Sequence, residues 1–158
     1  MENKLEVSFN SPQCGWMSIG FDDGTREFHT TTATAPHSEA LREILKGLSS
    51  LIEAHSETDE FTIDWSRNPE AFNLLFKRDG ETISFQVIEY PTSNRLEQQR
   101  ETVFSYQGSV KDFCRSFYET FAQLYDDRET DEFEFNWRQP FPDEEFENFK
   151  SKLNAARI

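Results

Sequence analysis

Glu57-Thr58-Asp59-Glu60-Phe61-Thr62-Ile63-Asp64-Trp65 returns seventy-two residues later as Glu129-Thr130-Asp131-Glu132-Phe133-Glu134-Phe135-Asn136-Trp137. Six of the nine positions are identical, and two more (Ile63 with Phe135, Asp64 with Asn136) are similar in kind. Self-similarity of this sort bears on architecture before any local pattern does. In both copies apolar residues alternate with polar ones, as in a half-buried strand. A stretch of helical periodicity precedes each copy. Leu41, Ile44, Leu45, Leu48, Leu51 and Ile52 form one apolar stripe, and Val110, Phe113, Phe117, Phe121 and Leu124 form the other. The expectation is two related halves, about 16–67 and 72–139, inside a single domain spanning 1–158, with a C-terminal helix at about 143–156.

Working outward, Leu5, Val7 and Phe9 read as a short strand. Trp16 to Asp22 and Thr25 to Thr32 flank Asp23-Gly24, and the alternating Phe72, Leu74 and Phe76 and the strand Thr82 to Tyr90 flank Lys77-Arg78-Asp79-Gly80-Glu81. Both Asp-Gly pairs signal tight hairpins, because glycine and aspartate accept the turn conformations that such loops need. Thr34 to Ser38 is a connection ending in an N-cap candidate, Ser38. Pro91 to Arg100 is a polar loop, and Thr102 to Gln107 a further strand. Ser109, with Asp112 three residues on, marks the start of the second helix. Phe141 and Phe146 are spaced for a hydrophobic staple at the last helix. That helix carries acids first and bases (Lys150, Lys152, Arg157) last, as the helix dipole favours. The fold class implied is two-layer α+β. A mainly antiparallel sheet carries two long helices on one face, plus the C-terminal helix and an internal pseudo-repeat of strands, helix, strand.

Thirty acids against sixteen bases leave a net charge of −14. That balance excludes nucleic-acid phosphate as a ligand and an anionic membrane surface as a support. It suits a basic protein partner, or plain solubility. No basic stretch followed by an apolar run opens the sequence, and no run approaches a membrane span of about 18 apolar residues. Cys14 and Cys114 have no metal-type spacing and read as two reduced thiols. The expected location is a cytoplasm of bacterial type.

No sequence motif for a nucleophile, a phosphate-binding loop or a metal centre is present. His29, His37 and His55 lack a second ligand at metal spacing. Asp127, Glu129 and Asp131 alternate in the manner of calcium ligands, but the glycine and closing glutamate of an EF-hand loop are missing. Cofactor and metal are therefore expected to be none, and catalytic residues none. Trp65 and Trp137, with Arg67 and Arg138 beside them, could form a stacking platform. Their phase with apolar neighbours reads better as core. Cys114 lies in a helical stripe and reads as a small core residue.

Two acid-rich stretches stand out. Residues 53–64 hold five acids and no base, and residues 126–136 hold six acids against Arg128 alone. Each follows a helix C-terminus, where acids oppose the helix dipole at a cost of up to about 1 kcal/mol each. If the halves are related, both stretches fall on one rim of the sheet. Glu57, Asp59, Glu60, Glu129, Asp131 and Glu132 are thus the candidate partner-binding residues; the plain reading is a solubilising loop copied by duplication. In charge, size and build the chain resembles the immunity proteins that neutralise bacterial toxins, a likeness carried by no motif. It implies a non-enzymatic module that binds a basic protein. The alternatives are a small-molecule or enzyme site near the 91–100 loop, and a structural or oligomerising role through a sheet edge.

Overall fold

The computed structural model describes residues 4–35, 39–53, 58–67, 69–92 and 94–156, without the side chains of Thr58 and Asp59. His37, Ser38, His55, Glu57 and Arg157 lie outside the described residues. The chain forms β1 (Glu6–Phe9), β2 (Trp16–Asp22), β3 (Glu27–Ala33), α1 (Ala40–Glu53), β4 (Thr58–Ser66), β5 (Ala71–Asp79) and β6 (Thr82–Tyr90). Then follow β7 (Glu101–Ser109), α2 (Val110–Asp127), α3 (Phe133–Trp137) and α4 (Asp143–Ala155). The fold is α+β. Its strands are antiparallel throughout and divide into two sheets, ordered β1-β2-β3 and β4-β5-β6-β7.

Alternation decides which face of the four-stranded sheet is buried. Phe61, Ile63 and Trp65 stand opposite Phe76, Leu74 and Phe72, and the row continues through Phe85, Val87 and Phe104. This face carries the helices. Thr62, Asp64, Lys77, Ser84, Gln86 and Gln107 occupy the other face and are exposed. The β5–β6 hairpin closes through Gly80-Glu81, with Gly80 at φ 62°, where a Cβ is disfavoured. The β2–β3 turn is longer than the two-residue loop that Asp23-Gly24 suggests. Asp22 pairs with Glu27, leaving four residues between them. Asp23 Oδ1 accepts the N–H groups of Thr25 (2.9 Å) and Arg26 (2.7 Å), which closes the wider turn. Those bonds, Arg26's first, hold the Asp23 carboxyl below its ordinary range.

The smaller sheet packs across the larger one. Its inner face presents Met17, Ile19 and Phe21, all buried. β3 touches both outer strands of the larger sheet, β4 and β7. Trp65 Nε1 donates to the Ala33 carbonyl (2.9 Å). Long-range bonds fasten β1 to α2: Ser116 Oγ donates to the Leu5 carbonyl (2.6 Å), the Phe9 N–H to Thr120 Oγ1 (2.7 Å), and Thr120 Oγ1 to the Phe9 carbonyl (3.4 Å). Aromatic rings fill the space between. Phe117 alone has the rings of Phe9, Phe21, Phe76, Phe85, Phe113 and Phe121 within 6.5 Å, centroid to centroid.

Ser109 Oγ caps α2 by accepting the Asp112 N–H (3.1 Å), and Phe141 meets Phe146 edge-on at 5.7 Å as the staple of α4. Cys114 is buried on α2, and burial pushes its thiol up to about 12. Arg42 pairs with Glu145 (3.3 Å) and Glu53 with Lys152 (2.7 Å), so α4 runs parallel to α1. Tyr118 stacks on Phe146 while Tyr125 reaches Phe141, so α4 runs antiparallel to α2. α1 and α2 therefore point in opposite directions.

Glu89 is half-buried on β6. Its carboxyl is pushed up by burial first, then by Glu70 and Glu101; Arg67 opposes them. A raised carboxylate in the folded state is a cost above its folded pKa, and that cost disappears as pH falls through it. Glu89→Gln should therefore raise the urea midpoint at neutral pH. The gain should shrink as the pH is lowered, which a set of unfolding curves between pH 4 and pH 7 would show.

Candidate functional site

The opposed directions of α1 and α2 carry the two acid-rich stretches to opposite ends of the helix layer, not to one rim. The stretch at the α1 end has one ion pair and two cations at facing register positions. Glu53 pairs with Lys152, Glu60 stands opposite Lys77, and Asp59 takes the register position opposite Arg78. Arg78 Nη1 also donates to the Leu51 carbonyl, satisfying the C-terminal end of α1. Asn73 Nδ2 donates to Asp64 Oδ1. Opposite charges across a ladder stabilise the sheet, a structural use for these acids.

Among the described residues, no cation pairs with the acids of the stretch at the α2 end. Arg128 is the one cation between 126 and 136, and it is engaged. Its Nε lies 3.5 Å from Asp143, and its guanidinium sits 3.8 Å over the Tyr125 ring. Asp126, Glu129, Asp131, Glu132 and Glu134 are exposed, and Asp143, Glu144 and Glu147 at the start of α4 add exposed charge of the same sign. Ser11 Oγ donates to Asp131 Oδ2 (2.6 Å), which fixes that carboxylate against the β1–β2 connection. Among the described residues no three of His, Cys, Asp and Glu are placed to hold a metal ion.

The second ETDEF copy does not form the strand its alternation suggests. Residues 129–132 turn, and Phe133–Trp137 is the short helix α3. The Phe133 N–H bonds to the Arg128 carbonyl (2.8 Å), and the Arg138 N–H to the Glu134 carbonyl (2.8 Å). Asn136 Nδ2 donates to the carbonyls of Asp131 (3.1 Å) and Glu132 (3.2 Å). Four residues apart, Phe133 and Trp137 share the inward face and are each 1% exposed. Phe135 falls on the opposite face and is 79% exposed. Trp137 meets Trp65 edge-on at 6.1 Å, so both indoles are core groups, not a platform.

α3 is tied down at its end. The Gly15 N–H donates to the Asn136 carbonyl (2.6 Å), and Thr34 Oγ1 to the Trp137 carbonyl (2.7 Å). Next to Gly15, Trp16 is 40% exposed. A groove of about 470 Å³ opens there, lined by Cys14, Gly15, Trp16, Ala33, Arg138 and Gln139 among others. Among the described residues, Cys14 (φ 52°), Glu132 (φ 51°) and Arg138 (φ 69°) are three of the four non-glycine residues in the left-handed region, the fourth being Arg95. Strained backbone concentrated in one place is a mark of functional surfaces.

The 91–100 loop is folded back. Arg95 Nη2 donates to the carbonyls of Trp65 (3.1 Å) and Phe72 (3.2 Å), and Glu97–Gln99 makes a short 3-10 turn. His29 lies on the outer face of the smaller sheet, 3.7 Å from Glu27, beside a polar cleft of about 300 Å³ lined by Ser8, Asn10, Ser18, Thr31 and Arg67. Neither this cleft nor the groove beside Trp16 includes a residue of the loop.

The acids of this surface were visible in the sequence, whereas Phe135 was missed because alternation assigned it to a core face. Among the described residues no helix is long and apolar enough to cross a membrane. No protein-family model, curated protein or solved structure matches the chain.

Proposed function

We propose that the chain is a non-enzymatic protein-binding module whose working surface is the acidic end around Glu129, Asp131 and Glu132. Its partner is a protein with a basic surface. The observation that carries this reading is the contrast between the two acid-rich stretches. In one, Glu53 is paired with Lys152 and cations take the register positions facing Asp59 and Glu60, while the other keeps its charge facing solvent, with its single cation already held by Asp143 and Tyr125. Charge left unmatched at a helix C-terminus costs stability, and a complementary partner recovers that cost. Such a surface speeds encounter more than it tightens the final complex, and it weakens as salt shortens the Debye length.

The experiment is an affinity capture at low and high salt with three baits. Wild type is compared with Glu129→Gln/Asp131→Asn/Glu132→Gln and with Glu57→Gln/Asp59→Asn/Glu60→Gln. A basic partner should be recovered by wild type and by the second variant. High salt, or the first variant, should weaken its binding by about tenfold or more. A partner indifferent to both salt and the first variant, or no specific partner at all, sinks the reading.

A further inference from the structure

We infer that Phe135 is the anchor of this acidic surface, and that the partner offers it an apolar pocket rimmed by lysine or arginine side chains. The inference rests on the reading just proposed and names what the surface grips. A lone exposed apolar side chain is ordinary in itself. Phe135 differs in how it is held.

Phe133 and Trp137, on either side of it in sequence, are locked in the core. Both ends of α3 are pinned by left-handed residues, Glu132 and Arg138. The Asn136 side chain and the Gly15 N–H clamp the same turn. The aromatic ring is therefore presented on a backbone that loses little further freedom on binding, the condition under which an anchor contributes most. Its sequence neighbour Glu134 and nearby Glu132 are exposed carboxylates, against the single exposed cation Arg138 three residues on, so the charge around α3 is negative on balance. Charge complementarity fixes the rim of the partner's pocket as cationic, and the ring fixes its floor as apolar. Trp16, one residue beyond the Gly15–Asn136 hydrogen bond, is a further exposed aromatic residue near α3. Buried aromatic anchors inside a charged rim are the usual carriers of interface affinity.

The test uses the full chain with p-benzoylphenylalanine in place of Phe135, irradiated with the salt-sensitive partner recovered above, and the cross-linked residue is mapped by mass spectrometry. In parallel, affinities are measured against salt for wild type, Phe135→Ala and Glu129→Gln/Asp131→Asn/Glu132→Gln. The expected cross-link falls on an apolar residue whose surface neighbours are Lys or Arg. Phe135→Ala should weaken binding by about 10- to 100-fold with the salt dependence retained. The acid variant should flatten the salt dependence. Because Phe135 is exposed, its alanine variant should melt as wild type does, which excludes misfolding as the cause. If Phe135→Ala binds as wild type while the acid variant is weakened, the anchor is overturned and the acidic surface stands. A cross-link to a polar or acidic patch overturns it as well. If both variants bind as wild type, or no salt-sensitive partner exists, both readings fall together.

Discussion

Phe117→Ala is expected to cost about 3–5 kcal/mol of unfolding free energy, the range for deleting a buried aromatic. Phe117 is fully buried, and its ring is the one that α2 drives between the two sheets. It touches Phe9 and Phe21 from the smaller sheet, and Phe76 and Phe85 from the larger. Removing it opens a cavity walled by rigid rings that are themselves packed on one another, so little collapse can fill the space. A domain of this size has about 5–15 kcal/mol in total, so the variant should lose roughly a fifth or more of its stability. Urea unfolding followed by tryptophan fluorescence measures this directly. A loss under about 1 kcal/mol would mean that the rings relax into the gap and that the junction is not a rigid one.

The second large effect runs against helix propensity. Gly47 lies inside α1, where alanine is ordinarily favoured by about 1 kcal/mol. A Cβ at that position would stand 2.4 Å from two ring atoms of Phe61 and 2.6 Å from a third. The ring has little room to retreat, because it is stacked on Phe76 at 4.3 Å with planes 7° apart. Gly47→Ala should therefore destabilise the protein by about 1–3 kcal/mol, the range for overpacking. Shrinking the neighbour restores the space, so Gly47→Ala should be far less costly in a Phe61→Val background. A double-mutant cycle in urea reads that coupling. A stabilising Gly47→Ala in the wild-type background would show that the close approach of helix and strand is not real.

The sequence disclosed those elements whose periodicity ran long enough to be unambiguous. The stripes of α1 and α2, the alternation of β4 to β6 and the hairpin turn at Gly80-Glu81 all lie where local pattern and packing agree. The stretch 133–137 fails because five residues with three aromatics satisfy a strand period and an i, i+4 helix equally well. What separates the two ETDEF copies is tertiary. The first finds β5 as a ladder partner from Thr58 to Trp65, whereas among the described residues the second has no such strand beside it, and Gly15 and Thr34 each bond a single one of its carbonyls. A short segment without a strand to pair with satisfies its own backbone groups as a helix. The division of the strands into two sheets was hidden for the same reason, since it depends on which strands meet and not on how each is patterned. The acidic residues were legible, but their roles were not. Asp59 opposite Arg78 and Glu60 opposite Lys77 follow from register, and the separation of the two acid-rich ends follows from helix direction.

The bonds that fasten β1 to α2 join residues 111 positions apart. Chains emerge during synthesis at about 5–20 residues per second, so roughly 6–20 s separate the appearance of Leu5 and Phe9 from that of Ser116 and Thr120. Through that interval the first hairpin can form, because its own strands are adjacent, but the surface carrying Met17, Ile19 and Phe21 has no α2 to cover it. The first segment to take shape thus waits through most of synthesis for its shelter. Within this chain, nascent strands β1 to β3 are where chaperone capture and mispairing should concentrate.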